Sequence, residues 1–145
     1  MPDHVRPAAP LLHPLHAILL AFPIALFSGA LAADITYLNT AVIQWSNFSA
    51  WLIAGALLFG GLALAWAIVL VFTHRAAGLR GRALLFLVLL AVMWIAGLIN
   101  AFQHSRDAWS SVGTTGLILS IVSTVLALVA GWIGYSAAQG REVVR

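Results

Sequence analysis

Residues 83–105 read ALLFLVLLAVMWIAGLINAFQHS, without one Asp, Glu, Lys or Arg. A hydrocarbon core about 30 Å thick is crossed by roughly 20 apolar residues in a helix, so this run is long enough to cross a bilayer once. Three further uncharged runs accompany it, Pro7–Ala33, Ile35–His74 and Ala108–Gly140. Each has room for one crossing. The seven basic and four acidic residues of the chain stand almost wholly between or outside these runs. The reading is an all-α integral membrane protein with four spans.

Composition points the same way. A chain that is 63% hydrophobic cannot hide that surface in a soluble core of 145 residues, because a small domain leaves much of its surface in water. The connections are too short to hold a soluble catalytic domain. With no cysteine, disulfides, iron–sulfur clusters and thiolate zinc sites are excluded. All seven basic residues are arginines, mostly beside span ends. The pI near 10.7 therefore reads as a topology signal rather than a nucleic-acid footprint.

The whole chain, 1–145, reads as one transmembrane domain with spans at about 15–38, 48–72, 83–102 and 116–138, bounded to within ~2–4 residues. Pro10 and Pro14 precede the first span or fall in its first turn, where a missing N–H is harmless. Pro23 lies inside it and is expected to bend it. Ser46 or Asn47 is the expected N-cap of the second span. Short connections make neighbouring spans antiparallel, giving an up-down-up-down four-helix bundle. Arg6, Arg75, Arg80, Arg82, Arg141 and Arg145 then share one side, and only Arg106 takes the other. The positive-inside rule places the first side, with both termini, in the cytoplasm of a bacterium and the protein in its inner membrane. A cleaved signal peptide ending at Ala30-Leu31-Ala32 competes with this reading. Its apolar part is too long, and it contains His13, His16 and Pro23.

Small residues four apart suggest close helix packing: Ala50/Ala54, Ala56/Gly60 and Gly61/Ala65 in the second span, with Ser123, Ala127, Gly131 and Tyr135 in one row of the fourth and Ser120 and Thr124 in another. Trp45, Trp109 and Trp132 suit interfacial belts. In the first span His13, His16, Leu20, Pro23, Phe27, Ala30 and Asp34 are spaced alternately three and four apart, so they share a stripe. An acid within a span is expensive and turns inward. The expected partners of Asp34 at its depth are Asn100 and His104, four apart on the third span, in a polar clamp or an outward-side proton site. At the other end His13, His16 and His74 are the candidate ligands for a cofactor. Haem b is the group they could hold, since imidazole is its usual axial ligand. The depth mismatch between His16 and His74 argues against such a pair. Neither a catalytic residue nor a metal site is expected: Ser–His–Asp and HExxH arrangements are absent from the sequence.

The motif His13-Pro14-Leu15-His16, followed by Phe22-Pro23-Ile24-Ala25 and Asp34, with Gly131-Trp132-Ile133-Gly134 near the end, resembles a bacterial membrane family, domain of unknown function 2231. The resemblance covers nearly the whole chain. Ala21 departs from it, standing where the family often has a histidine, and the tail after Gly134 lacks the acidic and His-bearing pattern that often follows. Some relatives are joined to Rieske-type iron–sulfur domains, which implies a place near electron transfer. The resulting expectation is a non-enzymatic accessory or structural subunit of a respiratory or redox membrane complex. Its partners would be lipid and other membrane subunits or further copies of itself, with no nucleic acid. A b-type haem- or quinone-binding electron-transfer protein is the first alternative, and an oligomeric transporter or proton channel the second.

Overall fold

Once the chain lies in lipid, its backbone polar groups have no water to bond, so each uncharged run must satisfy them internally as a helix. The computed structural model, which describes residues 12–73, 77–105 and 112–136 and the side chains of all but 77–79 among these, has four such helices: α1 (Pro14–Thr40), α2 (Ile43–Thr73), α3 (Ala77–His104) and α4 (Thr114–Tyr135). All four are long and apolar enough to cross a membrane. Each packs on its neighbours in order and α1 on α4, while α1 lies diagonal to α3 and α2 to α4. The start of α1 and the end of α4 share one end of the bundle, where the Tyr135 hydroxyl donates to the Ala17 carbonyl at 2.8 Å.

The helix ends explain where the expected boundaries shift. His13 caps α1, its Nδ1 accepting from the Leu15 amide at 3.3 Å, with Pro14 at the first helical position. Two residues separate α1 from α2. Ala41 takes the left-handed conformation (φ 54°), and its amide bonds the Tyr37 carbonyl at 2.7 Å. The expected connection at 39–47 is therefore mostly helix, and Ser46 lies buried inside α2 instead of capping it. With 31 residues, α2 is about 46 Å long and outreaches the hydrocarbon core. α3 likewise starts six residues early, whereas α4 stops at Tyr135. There the Ser136 amide turns back to the Trp132 carbonyl at 3.1 Å. Arg82 joins this end: its Nη2 donates to the Ile133 and Ser136 carbonyls at 3.1 and 3.0 Å. α1 continues as helix through Pro23, which is buried.

Alternating steps of three and four mark the buried stripe of every helix. On α1 it is His16, Leu20, Pro23, Phe27, Ala30 and Asp34; on α2 Ser46, Ser49, Ile53, Ala56, Gly60, Ala63, Ala67 and Leu70; on α3 Ala83, Phe86, Leu90, Met93, Gly97, Asn100 and His104. This is the pattern of left-handed, near-parallel packing. Size is divided along the diagonals. α1 and α3 supply the bulk through Leu20, Phe27, Phe86, Leu90 and Met93, whereas α4 and most of α2 supply Ala, Gly and Ser. Small residues on α2 and α4 let side chains of the diagonal pair meet in the middle. A Cβ on Gly97 of α3 would lie 2.6 Å from the Phe27 ring of α1. Of the expected rows in α2, Ala56/Gly60 lies on the buried stripe; Ala54 and Ala65 are exposed.

Hydrogen bonds close every seam. Trp94 Nε1 donates to the Leu57 carbonyl at 3.0 Å between α3 and α2. Thr124 donates to the Phe27 carbonyl at 3.0 Å between α4 and α1. The outside is apolar along its length, with Trp51, Phe72 and Trp132 each more than three-quarters exposed, as lipid-facing residues should be.

Candidate functional site

Asp34 is the only acidic residue among the described residues. It lies in the penultimate turn of α1, fully buried. His104 is the last residue of α3 and points diagonally across the bundle, its Nε2 2.9 Å from Asp34 Oδ1. Ser120 of α4 donates to Asp34 Oδ2, and Asn100 Nδ2 donates to Ser120 Oγ at 2.7 Å. From α2, Ser49 donates to the Ala30 carbonyl at 3.2 Å and stands 3.3 Å from His104 Nε2. All four helices thus meet at one carboxylate–imidazole pair. The structure brings together Asp34, Asn100 and His104, and adds Ser49 and Ser120.

Donor and acceptor rules assign the protons. His104 Nδ1 faces the Asn100 carbonyl at 3.0 Å, and a carbonyl only accepts, so Nδ1 carries hydrogen. The single Ser49 hydroxyl hydrogen goes to Ala30, leaving its oxygen to accept from Nε2. Ser120 passes its own hydrogen to Asp34 while accepting from Asn100. The two bonds that reach Asp34, from Ser120 Oγ and His104 Nε2, then both run toward it, which makes it the ionised acceptor and His104 the doubly protonated donor. Such a pair is neutral as a unit, and this is how an acid is held in an apolar bundle. Removing one partner of a buried pair costs about 3–5 kcal/mol. Asn100 Oδ1 and Ser123 Oγ, also buried, have no protein partner.

The histidines at the other end are arranged differently. His16 is fully buried; its Nε2 donates to the Ala63 carbonyl of α2 at 2.9 Å, and its Nδ1 has no partner. Its ring stacks on Trp66 at 5.4 Å and meets the Phe86 edge at 5.7 Å. His13 is exposed and stacks on Trp66 at 5.9 Å. The aromatic ring opposite His16 on α2 is thus an indole. His74 lies outside the described residues, as do Trp109 and all arginines except Arg80 and Arg82. Among the described residues no group of three or more His, Cys, Asp or Glu could hold a metal ion.

Sequence reasoning missed Ser49 because it set the start of α2 five residues too late and so left Ser49 at the very entrance of the span. The spacing of Ser46, Ser49, Ile53 and Ala56 was the available signal. Ser120 was recognised as a packing residue without its partner. The His16–Ala63 bond could not be read at all, since its acceptor is a backbone carbonyl.

Four apolar helices clasped at one end by a buried Asp–His pair define a multi-pass membrane bundle. The chain belongs to the family of domain of unknown function 2231, described as a predicted membrane protein, whose family model matches residues 12–144. No curated protein and no solved structure matches it.

Proposed function

We propose that the protein is a non-enzymatic accessory subunit of a respiratory or redox complex in the bacterial inner membrane, with both termini in the cytoplasm. The observation carrying this reading is that the bundle turns its chemistry inward. Asp34, His104, Ser120, Asn100 and Ser49 bond one another, while large apolar side chains such as Trp51, Phe72 and Trp132 face outward. A bundle built so acts through its lipid-facing surface, on which other spans or copies of itself dock. The Rieske-joined relatives expected from the family support a redox setting, and the arginine asymmetry supports the orientation.

The test is purification of the tagged chain from native membranes in mild detergent, with spectra of the oxidised and dithionite-reduced eluate. The reading expects haem or iron–sulfur signals from co-purifying subunits. The chain made alone should show no Soret band, and His16→Ala should change no spectrum. Isolation from native membranes without any redox partner would refute the association. A Soret band from the chain alone, lost in His16→Ala, would replace it with the b-type cytochrome reading.

A second reading, a proton site within an oligomeric path, draws on the Asp34–His104 pair alone. One shared proton decides whether that pair is neutral. Proton flux into liposomes that is abolished in Asp34→Asn would favour it over the accessory role.

A further inference from the structure

At the Arg82 end, an apolar groove of ≈ 440 Å³ follows the seam of α1 and α4, lined by Ile24, Leu128, Gly131, Trp132, Tyr135 and Ser136. Its floor is Gly131, packed so closely on the first helix that a Cβ there would come within 2.6 Å of Ile24 Cδ1. From Leu128 to Ser136 the groove runs about 12 Å along α4, from the apolar middle toward the helix end. Ser136 closes that end and is bonded to Arg82 Nη2 through both its hydroxyl, at 2.9 Å, and its carbonyl.

Those bonds occupy only Nη2. A guanidinium has five N–H donors in a planar fork, and among the described residues Arg82 Nη1 and Nε have no protein partner. Arg82 is half-buried, Arg80 stands exposed on the same helix, and no acidic residue faces them among the described residues. An apolar channel whose end residue, Ser136, is held by a guanidinium with donors to spare matches one chemistry, a phosphate diester attached to an acyl chain. We infer that this seam binds one anionic phospholipid, its phosphate on Arg82 and one chain along Ile24, Leu128, Gly131 and Trp132. Basic pockets between spans bind anionic head groups in this way. A plain capping role for Arg82, neutralising the last carbonyls of α4, would need no lipid.

The test uses the full chain in neutral detergent, analysed by native mass spectrometry with equimolar phosphatidylglycerol and phosphatidylcholine. The first lipid adduct should favour phosphatidylglycerol by about fivefold, the worth of one basic residue at an anionic head group. Arg82→Gln should bring that ratio to about one, and Arg82→Lys should keep most of it. Leu128→Trp, on an exposed lipid-facing position, should fill the groove and reduce binding of both lipids without touching the cap. Three results would overturn the proposal: no preference in the wild-type chain, an unchanged preference in Arg82→Gln, or equal competition by tail-less glycerophosphoglycerol. The Leu128→Trp arm decides the matter if Arg82→Gln loses its helical circular dichroism, because unchanged lipid binding there also refutes the site.

Discussion

Replacing Asp34 by leucine and by asparagine separates a bonded clamp from a carboxylate that only occupies space. In Asp34→Leu, His104 sheds one proton rather than stay an unpaired buried cation. Ser49, 3.3 Å away, can turn its hydroxyl to the bare Nε2, and Ser120 can turn back to the carbonyl one turn before it. Two hydrogen bonds to a charged acceptor are lost, each contributing about 1.5–3 kcal/mol. The bulkier leucine adds strain at a fully buried position. The bonds alone come to about 3–6 kcal/mol, a range that contains the about 3–5 kcal/mol of breaking a buried pair. Asp34→Asn keeps the shape and finds new partners. Its amide donates to a neutral His104 through Nε2, and its oxygen still accepts from Ser120, so about 0–1 kcal/mol is lost. At roughly 3–5 °C per kcal/mol for a chain of this size, Asp34→Leu should melt at least ~9 °C below wild type. Asp34→Asn should stay within ~5 °C of it. Thermal circular dichroism in detergent, with size exclusion to check for aggregation, reads both. Equal melting of wild type and Asp34→Leu would refute the clamp; an Asp34→Asn loss as large as that of Asp34→Leu would refute the rebonding.

Three further predictions rest on other parts of the bundle. Gly97→Ala should destabilise by about 1–3 kcal/mol, because the Phe27 ring stands 2.6 Å from the new Cβ, whereas Gly81→Ala, with nothing within 4 Å, should gain up to ~1 kcal/mol of helix propensity; melting of the two variants checks the contrast. Ala41→Gly should raise the melting point by a few degrees, relieving a left-handed residue at a cost of about 1–2 kcal/mol, and an unchanged or lower midpoint counts against the α1 cap. Reporter fusions at Arg145 should be active with a cytoplasmic reporter and silent with a periplasmic phosphatase, and the reverse pattern would overturn the orientation.

Four spans were legible because the uncharged runs carry the signal that lipid imposes. The stripe ending at Asp34 was legible because an acid in an apolar helix must share the face that turns inward. Depth along the helices then led to Asn100 and His104. The start of α2 was not legible: Asn39, Thr40, Gln44 and Asn47 look like a loop, yet they form helix ends beyond the hydrocarbon core, joined at Ala41. That error hid Ser49. The role of Arg82 was hidden for another reason, since its acceptors are the last carbonyls of α4, and the sequence marks the charge without marking the helix end that it reaches. The diagonal division of large and small residues depends on which helices are neighbours, which no single span states.

The first and third spans share a charged hydrogen bond across one end of the bundle. Nitrogen-15 spectra of histidine-labelled protein in detergent at neutral pH test it most directly. His104 should give an imidazolium with hydrogen on both ring nitrogens, protected from solvent exchange, and that signature should disappear in Asp34→Asn. A neutral, freely exchanging His104 ring that is indifferent to Asp34 would contradict the account.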